Sequence, residues 1–191
     1  MASRYLGILY LFFVSLIGII FGTIYIQMLP HSLISDLLEQ WSSIINQAIS
    51  FEPSVSTFTS YFVYQISFFI YIFIFGLTII GYPIALLIHF LKAFLIGSTF
   101  QLFFTIWGDD ALLYITVWMV PSGIFILLAL LVLTQAVGVY SIDIYKSVKD
   151  KKWNSPLRKL SRSALISLCF VVIASLAHTY VSPLLLQFLF N

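Results

Sequence analysis

The chain has 191 residues, of which 61% are hydrophobic and only 8% charged, with a net charge of +2. Soluble domains carry roughly a quarter charged residues because their surfaces face water, so a chain this poor in charge, at mean hydropathy +1.07, must use lipid as the solvent for most of its surface. The small net charge offers no grip on nucleic acid, and the single cysteine, Cys169, excludes an intramolecular disulfide and a cysteine-built metal site.

The first apolar run extends from Tyr5 to Met28 behind one charge, Arg4. A secretory apolar region is about 7–15 residues and a span about 20, and no small-residue cleavage site follows. It is read as an uncleaved first span over 5–28. Gly18 and Gly22 form a small-xxx-small motif of the kind that lets membrane helices approach closely. It serves either a contact within the chain, the better fit, or a dimer contact.

Residues 31–52 differ. Leu33, Ile34, Leu37, Leu38, Trp41, Ile44, Ile45, Ala48 and Ile49 form a helical stripe opposite Asp36, Glu39, Gln40, Ser43 and Gln47. This predicts an amphipathic extracellular helix, lying on the leaflet, against a partner, or as a lid on the chain's own spans.

Residues 57–106 hold a single formal charge, Lys92. Two spans are predicted, 57–80 and 83–106, with a tight turn at Gly81-Tyr82-Pro83, where a helix is readily interrupted. Lys92 then falls near the membrane midplane. An ammonium there costs a few kcal/mol unless it snorkels or pairs, which makes it a functional candidate by default. His89 lies one turn earlier on the same face. With Gly81 and Pro83, these two residues make up a candidate polar intramembrane centre, and Ser98 and Gln101 extend the stripe. The structural alternative is a lysine bonded to carbonyls at the helix break or to Asp143. Gly97 joins Gly18 and Gly22 as a candidate packing position.

After the loop Trp107-Gly108-Asp109-Asp110, the chain is uncharged until Asp143. One crossing over 121–143 leaves about ten residues to spare. Either a re-entrant half-helix at 111–120, broken off at Pro121 and Ser122, or one long tilted helix absorbs them. Lys146, Lys149, Lys151, Lys152, Arg158, Lys159 and Arg162 then crowd into 146–162. Together with Trp153, they could dock a cytoplasmic partner; the simpler reading is the positive-inside signal, with contact to anionic lipid. A last uncharged run makes a span over 164–190, in which Cys169 is read as a small buried side chain. Trp41, Trp107, Trp118 and Trp153 fall near predicted interfaces, as aromatic belts do.

The positive-inside rule puts 146–162 and Arg4 in the cytoplasm, with 31–52, Asp109 and Asp110 outside. Parity then requires five spans, the N-terminus inside and the C-terminus outside. The predicted fold class is all-α: a single integral membrane domain built as a polytopic transmembrane helix bundle. No catalytic constellation is visible. The three histidines fall at different depths, adjacent aspartates do not converge on one helix face, and no phosphate-binding loop occurs. No cofactor is expected, and any ATP hydrolysis must come from another chain.

The stretch from Ile79 to Gly97 resembles the signature region of the stage II sporulation protein M family, in which an Ile-Gly-x-Pro turn leads into a Phe-Leu-Lys helix ending in glycine. Gly81, Pro83, Phe90, Leu91, Lys92, Gly97, Gly108, Leu112 and Pro121 occupy matching positions, and the first span looks like the family's first helix. The resemblance covers about 10–140. Ala93 stands where the family has glycine, and Pro121-Ser122-Gly123 stands where sporulation members have Pro-Gln-Asn. The charged leader before the first span is nearly absent. The short length and basic loop look more like the members found in clusters for circular and leaderless bacteriocins. That branch implies a bacterial cytoplasmic-membrane protein working with a cytoplasmic ABC-type ATPase and other membrane subunits. Its cargo would be a hydrophobic peptide that is exported, matured or guarded against. The sporulation branch implies instead a scaffold for peptidoglycan-remodelling proteins.

Overall fold

A computed structural model of the chain describes residues 2–49, 54–78, 80–149 and 157–190. Among the described residues every regular element is helical. The α-helices are α1 (Ala2–Met28), α2 (His31–Ile49), α3 (Val55–Gly76), α4 (Gly81–Trp107), α5 (Ala111–Tyr114), α6 (Val120–Lys149), α7 (Leu157–Leu176) and α8 (Ser182–Phe190). A 3-10 turn at Gly108–Asp110 links α4 to α5. Two π-helical turns, Ile115–Met119 and Ala177–Val181, carry α5 into α6 and α7 into α8 without interruption.

Four apolar helical stretches are long enough to cross a membrane: Leu6–Gln27, Val55–Gly76, Gly81–Ser147 and Leu157–Leu189. The third has 67 residues, which as one rod would extend about 100 Å, against a hydrocarbon core of about 30 Å. It folds back instead. Gly108 takes φ +54, in the left-handed region that glycine enters without strain, and beyond it α6 returns alongside α4. Thr134 reaches His89, and Gly138 faces Tyr82. The chain thus makes five helical passes and is a multi-pass membrane protein.

Directions follow from spacing. Ser15 meets His89, Thr23 meets the Gly97 carbonyl, and Gln27 meets Gln101, each pair 74 residues apart. A constant offset over three contacts means that α1 and α4 run parallel, so α3 must be the return pass between them. Small residues make this seam possible. A Cβ on Gly22 would collide with the Phe94 carbonyl oxygen, and one on Gly97 with the Ile19 carbonyl oxygen; one on Gly18 would lie 2.8 Å from the Ala93 Cβ. The close approach also lets hydroxyls reach across, with Ser98 Oγ donating to the Gly22 carbonyl and Thr23 Oγ1 to that of Gly97, both at 3.3 Å. The motif therefore serves a contact within the chain.

The main core lies between α3, α4, α6 and α7, around Phe69, Ile72, Ala85, Leu133 and Val171. A smaller core at the Asp109 end gathers Phe103, Ala111, Trp118 and Leu186. Outside these, large apolar side chains stay uncovered, among them Phe21, Leu87 and Phe188. In a chain of this composition, these are lipid-contacting residues.

Several details differ from the sequence-based expectations. α3 ends at Gly76 with Leu77 as its cap, and Gly81 is already the first residue of α4. Pro83 sits in the first turn of that helix, where a missing N–H costs nothing because no intrahelical acceptor awaits it. The backbone does not break at Pro121–Ser122 either. Helix continues from Ala111 to Lys149 through the π turn, so the re-entrant half-helix gives way to one long rod of about 58 Å. Cys169 is exposed on α7 rather than buried. Trp118 is buried, and Trp41 and Trp107 pack on Phe103, so these three tryptophans also form an aromatic cluster at the Asp109 end. Trp153, Lys151 and Lys152 lie outside the described residues.

Candidate functional site

The predicted polar centre divides into separate parts. His89 is 1% exposed and belongs to the seam between α1, α4 and α6. One ring nitrogen lies 2.7 Å from Ser15 Oγ, and the other 3.5 Å from Thr134 Oγ1. Gly81 and Pro83 lie in the first turn of α4, about 14–16 Å along its axis from Lys92, and Gly81 lies against the end of α3 at Phe75. Neither shares a site with the lysine.

Lys92 points elsewhere, toward α3. Its Nζ lies 4.5 Å from the ring centres of both Tyr64 and Phe68. A desolvated cation–π contact contributes about 2 kcal/mol, so two of them match the roughly 2.5–3.5 kcal/mol that a central charge costs on insertion scales. The rings thus hold the charge without a carboxylate. They do nothing for the three N–H donors of an ammonium, which find no acceptor among the described residues. Neither the carbonyls at the helix break nor Asp143 takes that place.

Beside Lys92 is a cavity of about 640 Å³. It lies between α1, α3, α4 and α6, and Leu33, Leu37 and Trp41 of α2 face it from the Asp109 end. The amphipathic helix is thus a lid over its own spans, anchored by Trp41 edge-on to Phe103 at 5.8 Å. Most of the lining is aliphatic or aromatic. The polar exceptions include Lys92, Gln65, Tyr61, Ser122, His178 and, on the solvent-exposed lid, Asp36.

Two π turns contribute Trp118 and His178 to the cavity wall. Each stands two residues before a proline, Pro121 or Pro183, whose missing N–H loosens the helical ladder. Across the interface between the two turns, Ser182 Oγ donates to the Trp118 carbonyl at 3.0 Å. The turns bring the Trp118 and His178 rings to 4.9 Å, and His178 stacks on Tyr61 at 3.8 Å. The Nδ1 of His178 and the Oε1 of Gln65 are buried without a hydrogen-bond partner. Buried polar atoms in native structures are nearly always paired, so this wall is incomplete as it stands.

Sequence reasoning reached Lys92, Ser98 and the lid residues but not Tyr61, Tyr64, Gln65 or His178 as parts of the wall. A signal existed in α3, where Tyr61, Tyr64, Gln65 and Phe68 fall at i, i+3, i+4 and i+7, with the lone amide of Gln65 in an otherwise apolar pass. Among the described residues no three His, Cys, Asp or Glu side chains converge as metal ligands would. Of the basic residues proposed for docking, Lys146, Arg158, Lys159 and Arg162 are exposed at the end opposite the cavity. Lys149 closes α6.

No curated protein and no solved structure matches the chain. A family model does, that of Stage II sporulation protein M, over residues 9–183. The match runs from α1 into α8, takes in the whole cavity wall, and extends well past the signature helix around Lys92. The chain belongs to the Stage II sporulation protein M family.

Proposed function

We propose that the chain is a non-catalytic membrane subunit of a multi-protein complex that handles a hydrophobic peptide such as a bacteriocin, by export, maturation or protection against it. In this reading it lies in the bacterial cytoplasmic membrane, N-terminus inside and C-terminus outside. ATP is hydrolysed by a cytoplasmic ABC-type partner docked on the basic end, where Lys146, Arg158, Lys159 and Arg162 are exposed.

The cavity beside Lys92 carries the reading. Its volume of about 640 Å³ falls in the range of roughly 300–1,000 Å³ typical of sites that enclose an organic ligand, which are mostly apolar with a few placed polar groups. A simple anchor has no use for a buried cation. An amphipathic lid over an apolar cavity suits a ligand that arrives from the membrane or leaves toward the far side.

The test is purification of the tagged protein from its native membrane in mild detergent, beside a variant with Arg158, Lys159 and Arg162 changed to glutamine. The reading expects an ATPase with the parent chain and its loss with the variant. Recovery of cell-wall hydrolases without an ATPase would contradict it and favour the second reading, a scaffold for peptidoglycan-remodelling proteins. That alternative is supported by the exposed Asp36 and Gln40 on α2, a polar face at the Asp109 end.

A further inference from the structure

The cavity is chemically specific. Lys92 is 5% exposed, and its ammonium is cradled by two rings but has no acceptor for its protons among the described residues. Gln65, which also lines the cavity, is 6% exposed, and its side-chain carbonyl oxygen has no donor. Both side chains line the one cavity, and Gln65 lies on the same helix as the two rings that hold the lysine. A ligand in this apolar cavity can supply an acceptor to one and an N–H donor to the other.

The C-terminal end of a peptide offers that pair. Its α-carboxylate accepts from an ammonium, and the last amide N–H, on the same residue, donates to a carbonyl oxygen. Apolar side chains before it would occupy the aliphatic walls under Leu33, Leu37 and Ile126. A free fatty acid has the carboxylate and the apolar body but no N–H for Gln65. Two acidic groups would not fit, since one cation faces the cavity and the other charged lining residue, Asp36, is acidic, exposed and screened by solvent.

We infer that the cavity holds the free C-terminus of an apolar peptide, its carboxylate on Lys92 and its terminal amide N–H on Gln65. The inference rests on the proposed function and adds the end of the peptide that is recognised. Lys92 and Gln65 are thus binding residues, and Tyr64 and Phe68 position the lysine.

The experiment uses the full chain in phosphatidylcholine nanodiscs, with tryptophan fluorescence as the readout, because Trp41 and Trp118 line the cavity. The probes are a short acetylated leucine–alanine peptide as acid and as amide, and oleate with its methyl ester. The acid peptide should bind about tenfold or more tightly than its amide, the scale of one charge-assisted hydrogen bond. Lys92→Met should abolish that preference while leaving amide binding in place, and Lys92→Arg should keep it. Gln65→Leu should weaken the peptide and not oleate. Equal binding of acid and amide to the parent chain would overturn the inference and leave the peptide reading standing. Binding of oleate with neither peptide would overturn both and make the cavity a lipid site. The acid–amide comparison on the parent chain requires no variant to fold.

Discussion

Lys92 and Tyr64 are partners across the α3–α4 interface, the ammonium 4.5 Å from the ring centre. Phe68 holds the other side at the same distance, so a charge near the middle of the bundle is stabilised by ring faces rather than by an acid. If the contact is a cation–π interaction, its energy must depend on the charge. Tyr64→Leu should therefore cost roughly 1–2 kcal/mol more in the parent chain than in a Lys92→Met background. Thermal unfolding of the four proteins in one detergent measures the difference. Equal costs in both backgrounds would reduce the contact to ordinary packing.

The seam between α1 and α4 makes a sharper demand. A leucine at Gly22 or Gly97 meets backbone rather than a yielding side chain, so the helices must separate. The cost should exceed the ~1–3 kcal/mol typical of core overpacking and should lower the yield of folded protein. Gly123 is the control, since a Cβ there meets nothing within 4 Å. Gly123→Ala should be neutral or slightly stabilising, and unfolding midpoints that fail to separate the two classes would argue against the parallel α1–α4 seam.

Buried hydroxyls should also sort by partner. Ser15 Oγ lies 2.7 Å from the His89 ring inside the seam, whereas Ser67 Oγ bonds only to the Val63 carbonyl of its own exposed turn. Ser15→Ala leaves a buried imidazole nitrogen unpaired and should cost about 1–3 kcal/mol. Ser67→Ala should stay within about 0.5 kcal/mol. Chemical unfolding in detergent distinguishes these outcomes.

Much of the architecture was legible because charge is scarce. Each charged segment marks an end of the bundle, the glycine spacing at Gly18 and Gly22 marks a close crossing, and a lone lysine in an apolar run marks a site. What was illegible has a common cause. Lipid and protein interior are both apolar, so periodicity does not say which face of a pass is covered. Leu87 is 58% exposed and Leu102 is 4% exposed on the same helix, with nothing in the residue type to separate them. The same limit hid the aromatic cradle of Lys92, since 19 phenylalanines and 11 tyrosines make any ring an unremarked neighbour. Cys169 was misjudged for that reason. Pro121 leaves both a helix break and one long tilted helix open in sequence, because proline often breaks helices in water; in the bundle a π turn just before it lets the helix run on.

Sidedness decides whether a cytoplasmic ATPase can reach the basic end at all. The direct measurement is cysteine labelling on intact cells with a membrane-impermeant maleimide, in a Cys169→Ala background carrying either Asp109→Cys or Lys146→Cys. The account predicts that the Asp109 position labels from outside and the Lys146 position only after permeabilisation. Labelling in the reverse sense would place the basic end outside and contradict ATP-driven docking there. Labelling of both from one side would contradict the single pass of α6 between them.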